Sequence, residues 1–155
     1  MQRLFLTFFY TGLSPKAPGT MGSLLALVCG ILIIRFISLE TLFLGAVLLT
    51  LIGIKEINSH EASGGEHDDK SIVIDEVVGM WLALVLSSTS WIQISLSFLF
   101  FRLFDIWKPS LIGKIDKYVK GGLGVMGDDI LAGIVAGICS AGVYQLLGLI
   151  GFLQS

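Results

Sequence analysis

The sequence predicts an all-α, polytopic membrane helical bundle of about five helices, two short hairpins among them, with its charged loops on one face. Three observations carry this. First, only 14% of the 155 residues are charged, against about 25% in an ordinary soluble domain. Second, residues 17–34, 41–54, 77–101 and 130–155 form charge-free runs of 18, 14, 25 and 26 residues. A helix needs roughly 20 apolar residues to cross a bilayer, so the last two runs suffice outright. The first suffices if Arg35 snorkels, and the second needs Glu40 or Lys55 near a headgroup. Third, 18 of the 22 charged residues fall in two segments, 55–76 and 102–129.

The length fits one domain, residues 1–155. A net charge of −2 argues against a nucleic-acid binder, and the high apolar content excludes a disordered tail. Cys29 and Cys139 lie far apart in apolar runs, which excludes a disulfide framework or a CxxC metal knuckle. Arg3 precedes a short apolar stretch, but no small-x-small cleavage pattern follows, so no removable signal peptide is expected. Phe5, Phe8, Phe9 and Tyr10 suit a segment lying at the membrane interface.

In chain order, residues 11–22 (TGLSPKAPGTMG) read as a loop rich in proline and glycine. Thr20 or Ser23 is placed to cap a first helix running to about Ile37. A turn at Ser38-Leu39-Glu40 leads to a second helix ending near Asn58, and 59–70 reads as a polar loop with Gly64-Gly65. The 25-residue run is interrupted by Ser87-Ser88-Thr89-Ser90. Four small polar residues compete for backbone hydrogen bonds in mid-helix, so a hairpin turn with Trp91 as interfacial anchor is expected. That hairpin brings both charged segments to one side of the membrane. Five of the ten basic residues then lie in the second segment, with Arg3 and Lys16 on the same face, and the positive-inside rule makes that face cytoplasmic. The last helix carries the chain to the other side. Its Ala132, Gly133, Ala136, Gly137, Ser140 and Ala141 suit close helix packing.

Two acidic constellations could carry chemistry. In 66–79 (EHDDKSIVIDEVVG), Asp75 and Glu76 abut an apolar run, and a helix starting near Ser71 lets Asp68 and Asp69 fold over them. Carboxylates gathered at a membrane face are costly unless paired, protonated or metal-bound, and an oxygen-only donor set favours Mg²⁺, Mn²⁺ or Ca²⁺. Residues 55–76 as a whole are net −5, with two lysines against seven acids, and a solvated acidic loop accounts for Glu56, Glu61 and Glu66. In the second constellation, Arg102, Asp105 and Lys108 follow i,i+3 spacing and can pair at a helix end that Pro109 stops. After Gly121-Gly122, Asp128-Asp129 open the last helix, where the dipole alone would favour them. The alternative is that they echo Asp75-Glu76 and share a cation. A third, weaker signal is the loop beside Lys16, where glycines before a helix offer N–H groups to an anion. His60 and His67 read as solvated, no zinc spacing occurs, and neither a P-loop nor a GxSxG elbow is present.

Three blocks carry a resemblance: GLSPKAPGTMGS at 12–23, HDDKSIVIDEVVGMW at 67–81, and FRLFDIWKP…DKYVKGGLGVMGDDILAG at 101–133. With their apolar connectors they span nearly the whole chain, which resembles the phosphatidylglycerophosphatase A family of bacterial membrane lipid phosphatases. The resemblance implies Mg²⁺-dependent hydrolysis of phosphatidylglycerophosphate to phosphatidylglycerol at the bacterial inner membrane, within phospholipid synthesis. It implies Asp68, Asp75, Glu76, Asp105, Asp128 and Asp129 as catalytic positions, with Asp116 also matching the pattern. Asp75, Glu76, Asp128 and Asp129 would hold the metal. Thr20 in the 12–23 loop, Arg102, Lys108 and Lys120 would hold the substrate phosphate. Asp69 and Lys120 stand where the family pattern also accepts histidine, so neither is expected to be an essential ligand. The expected partners are the phospholipid substrate and membrane lipids, with no nucleic acid. Two rivals remain at this level: a soluble helical phosphohydrolase of small phosphate esters, and a non-enzymatic transporter subunit. The second would place its charges mid-helix, whereas here they flank the apolar runs.

Overall fold

A computed structural model describes residues 1–66, 69–87 and 90–151. These form seven α-helices, one 3-10 turn at Thr11–Leu13 and no strand. The helices are α1 (Gln2–Leu6), α2 (Pro18–Phe36), α3 (Leu39–Ala62), α4 (Ile74–Val85), α5 (Trp91–Trp107), α6 (Leu111–Tyr118) and α7 (Gly121–Leu149). The all-helical class stands. The count exceeds five because α1 and α6, at 5 and 8 residues, are short and carry charges (Arg3; Lys114, Asp116 and Lys117), so neither shows as a charge-free run.

Several helix boundaries differ from expectation. α2 starts at Pro18, not at Thr20 or Ser23, because proline's fixed φ is preorganised for the first helical position. Thr20 therefore lies inside the first turn. Ser38 caps α3 by accepting the Thr41 N–H at 3.1 Å, and that helix runs four residues past Asn58 to Ala62. α4 begins at Ile74 rather than near Ser71. α7 begins at Gly121, so Asp128 and Asp129 lie two turns inside it rather than at its opening. Tertiary contacts override the low helix propensity of these glycines. Gly122 donates its N–H to Asn58 Oδ1 at 2.7 Å, which satisfies one free group of the helix start. The 25-residue run divides into α4 and α5 between Val85 and Trp91. Ser88 and Thr89 of the expected turn lie outside the described residues.

α4 is the hub. Nine of its twelve residues are buried, and it packs on α7, α2, α3 and α5. Trp81 donates Nε1–H to the Ala26 carbonyl of α2 at 2.9 Å. On the other side α4 meets α7 backbone to backbone. A Cβ at Gly79 would lie 2.6 Å from the Asp129 carbonyl oxygen, and one at Gly133 would lie 2.8 Å from the Gly79 carbonyl carbon. Ser97 and Ser140 link α5 to α7 through a 2.9 Å hydrogen bond, and Ser140 donates to the Gln93 carbonyl.

The outside of the bundle is apolar. Leu24, Val28, Leu32 and Phe36, spaced by four on α2, are all at least 45% exposed, a stripe with no protein against it. α2 and α7 are long and apolar enough to cross a membrane, and only 22% and 28% of their most apolar stretches are buried inside the protein. These are not the covered core helices of a soluble domain, and the uncovered surface fits membrane association. The Cys29 and Cys139 thiols are free.

Candidate active site

The two charged segments, separated by 25 residues in sequence, meet in one cleft of about 980 Å³. Four elements build it. The start of α2 contributes Ala17–Thr20, the start of α4 contributes Asp75 and Glu76, and the end of α5 contributes Arg102 and Asp105. The second and third turns of α7 contribute Asp128 and Asp129. Lys108, Asp116, Lys117 and Lys120 close the rim.

At its floor, Asp75, Glu76 and Asp129 each offer a carboxylate oxygen, and these oxygens all lie within 4.8 Å of one another. Asp75 and Asp129 are buried and Glu76 is half-buried. Asp75 Oδ1 accepts the Glu76 N–H at 3.0 Å. Glu76 Oε2 and Asp129 Oδ1 are buried and have no hydrogen-bond partner among the described residues. Converging anions with unsatisfied lone pairs are unstable unless a cation or protons sit between them. Hard oxygen donors gathered this way suit a Mg²⁺-like ion. The residues present therefore fit such an ion.

The approach of α4 to α7 follows from the glycines. Gly79 lies one turn beyond Asp75, and Gly133 one turn beyond Asp129, so the backbone contact sits directly below the carboxylates. Gly19 plays a comparable part for α2. A Cβ there would overlap Glu76 Oε1 and lie 3.1 Å from Glu76 Cδ. The start of α2, with its free N–H groups and positive dipole end, is thus held against the acidic floor.

The basic residues surround that floor. Arg102 pairs with Asp105, as the i,i+3 spacing predicts, and its Nη1 donates to Ser23 Oγ at 3.1 Å. Lys108 departs from expectation. It does not pair with Asp105 but bridges Asp116 of α6 and Asp128 of α7, the latter at 2.6 Å. The cause is that Lys108 caps α5 in the left-handed region, φ 46°, which turns its side chain away from the α5 face carrying Asp105. Burial alone would lower the Lys108 ammonium. Asp116 and Asp128 outweigh it and hold the pKa well above the usual lysine value.

The expected site residues are brought together in the following way. Asp75, Glu76, Asp105, Asp129, Thr20, Arg102, Lys108, Asp128 and Lys120 all line the cleft. Asp128 is separate from the carboxylate trio because its Oδ2 is held by Lys108. Asp68 lies outside the described residues. Lys16 is not part of the cleft lining, which starts at Ala17. Asp69 lines the cleft while also tying down its own loop: Oδ1 accepts the Ser71 N–H at 2.9 Å and Oδ2 lies 3.6 Å from His60 Nε2. Burial pushes the Asp69 carboxyl up, but Ser71 and His60 outweigh it and hold it below the usual range. Ser23, Lys117 and the counter-ion role of Asp116 were not legible in sequence. No local spacing signals a contact made across 79 residues, as between Arg102 and Ser23.

The phosphatidylglycerophosphatase A family model matches residues 4–144. The chain belongs to the phosphatidylglycerophosphatase A family. It is 40% identical over 141 residues to phosphatidylglycerophosphatase A of Escherichia coli K12, covering 90% of this chain and 79% of that protein. The Haemophilus influenzae phosphatidylglycerophosphatase A is 38% identical over 129 residues, covering 83% and 79%. A Bacteroides thetaiotaomicron protein with the provisional name phosphatidylinositol-3-phosphatase is 38% identical over 150 residues, covering 92% of each chain. No solved structure matches. Within the family match lie the carboxylate trio, both basic side chains of the α5 end and the glycine contact beneath them.

Proposed function

We propose that this member of the phosphatidylglycerophosphatase A family is a Mg²⁺-dependent, multi-pass phosphatase that removes the terminal phosphate of phosphatidylglycerophosphate at the cytoplasmic face of the inner membrane. The observation that carries it is the carboxylate trio Asp75, Glu76 and Asp129 in a cleft edged by Arg102, Lys108 and the start of α2. Anionic floor and cationic rim together fit a phosphomonoester bound through a divalent cation.

Asp75, Glu76 and Asp129 would hold the ion. When bound, Mg²⁺ neutralises phosphate oxygens and lowers the pKa of water. The protein's own groups do the rest. Arg102, oriented by Asp105 and Ser23, presents its guanidinium to the phosphate oxygens, where charge develops during transfer. The first-turn N–H groups of α2, with Thr20, hold another oxygen of the same phosphate. Lys108, held between Asp116 and Asp128 in the cleft lining, would add a second positive charge for the phosphate. Asp128 Oδ1 has no partner among the described residues and is the candidate to take a proton from the attacking water. As water oxygen bonds to phosphorus, the bond from phosphorus to the glycerol oxygen breaks, and that oxygen leaves as the lipid alcohol once protonated. The acyl chains stay in the bilayer beside the uncovered faces of the helices.

Phosphate release from phosphatidylglycerophosphate by purified protein tests the assignment. We expect turnover with Mg²⁺, loss after chelation and recovery on adding Mg²⁺ back. Phosphatidylinositol 3-phosphate serves as the comparison substrate, given the provisional name of one relative. A rate for it above that for phosphatidylglycerophosphate would reassign the substrate.

The orientation has its own test. With Cys29 and Cys139 replaced by alanine, a cysteine at Ser63 is expected to react with an impermeant reagent only from the cytoplasmic side. One within Ser87–Ser90 is expected to react only from the periplasmic side. Reversal at either site would overturn the topology.

A further inference from the structure

A second furrow, of about 450 Å³, lies at the other end of the bundle. It is lined by Ile31, Ile34, Arg35 and Phe36 of α2 and by Trp91 and Ile94 of α5. Arg35 lies 15 residues beyond Thr20 on the same helix, or about 22 Å at 1.5 Å per residue. That exceeds one leaflet's half of the roughly 30 Å hydrocarbon core. The furrow therefore opens at the level of the opposite leaflet's headgroups, where tryptophan and arginine are favoured.

Arg35 has no ion pair among the described residues. The obvious counter-ion is Glu40, but Glu40 is exposed at the start of α3 and forms no ion pair with Arg35. The furrow thus joins a free guanidinium to an apolar trough flanked by an exposed tryptophan, 69% accessible. One ligand chemistry matches all three features: a negatively charged headgroup with a hydrocarbon tail.

We propose that this furrow binds an anionic phospholipid of the leaflet opposite the catalytic cleft, its phosphate on Arg35 and one acyl chain along Ile31, Ile34 and Ile94. A zwitterionic lipid fits less well, since its terminal cation would be brought toward Arg35 with no carboxylate in the furrow lining to receive it. The inference rests on the bilayer placement proposed above, and not on the phosphatase chemistry.

Trp91 is a built-in reporter. In a Trp107→Phe background the remaining tryptophans are Trp91 and the buried Trp81. The protein is reconstituted into bilayers containing a minority of lipid with brominated acyl chains, either phosphatidylglycerol or phosphatidylcholine. We expect brominated phosphatidylglycerol to quench as if enriched about fivefold near Trp91, the scale of one basic side chain at an anionic surface. Arg35→Gln should remove that preference and Arg35→Lys should keep most of it. Equal quenching by the two lipids, or a preference that survives Arg35→Gln, would overturn the site while leaving the bilayer placement intact. No quenching by either lipid would remove the bilayer placement and the site with it.

Discussion

Replacing Asp129 with asparagine is expected to lower phosphate release at least ~10³-fold, about 4 kcal/mol of transition-state stabilisation. Asp129 is buried, its Oδ1 is unsatisfied, and it is the only member of the carboxylate trio that α7 supplies. Asparagine has nearly the same shape but no negative charge, so a cation loses one of three anionic ligands. The same change relieves repulsion among neighbouring carboxylates in the metal-free protein. Its thermal midpoint in detergent should therefore be unchanged or raised. That combination, loss of turnover without loss of fold, separates a ligand from a structural residue. Full activity in Asp129→Asn would remove the assignment.

The second large effect is expected one turn deeper. Gly133→Ala adds a single methyl group, but its Cβ would lie 2.8 Å from the Gly79 carbonyl carbon and closer still to the oxygen. Backbone cannot rotate away as a side chain can, so α4 and α7 must separate. Overpacking of this kind costs about 1–3 kcal/mol. The larger consequence is functional, because the same contact sets the distance from Asp75 and Glu76 to Asp129. We expect a reduced thermal midpoint and at least ~10²-fold lower turnover, the scale of a misplaced catalytic group. Gly142→Ala is the matched control. It lies on the same helix with nothing within 4 Å of the added Cβ, and alanine is the better helix former by about 1 kcal/mol. Its stability and activity should match or exceed those of the parent. Equal loss in both variants would show that α7 tolerates no substitution, and would end the argument for the glycine contact.

Much of the site was legible because charge is scarce. When most acidic and basic side chains fall in two segments, a fold that buries few charges has little choice but to bring them together. Asp75, Glu76, Arg102 and Asp129 were visible on that ground. The segregation of Asp128 was not. Successive residues on a helix point about 100° apart, so Asp128 and Asp129 cannot both face the trio. Asp75 and Glu76 escape this because they open the first turn of α4, and glutamate has an extra methylene. The α4–α7 backbone contact at Gly79 and Gly133 sets the facing of α7, leaving Asp129 with the trio and Asp128 with Lys108, the left-handed cap of α5. The start of α7 was misplaced for a related reason. Gly121-Gly122-x-Gly124 reads as a loop by propensity, but Asn58 and the backbone of α3 supply the contacts that make it helical. The long apolar helices announced themselves, whereas α6 left no such mark because only Ile112 in it is buried.

Asp75, Glu76 and Asp129 are proposed to form one cation site on which hydrolysis depends. Mn²⁺, a paramagnetic stand-in for Mg²⁺, tests it most directly in an EPR titration of purified protein. We expect binding that Mg²⁺ displaces, weakened at least ~10-fold in both Asp129→Asn and Glu76→Gln, a loss no smaller than that from removing a group that merely orients a ligand. Undiminished Mn²⁺ binding in those variants, or no binding by a parent protein that still releases phosphate, would contradict it.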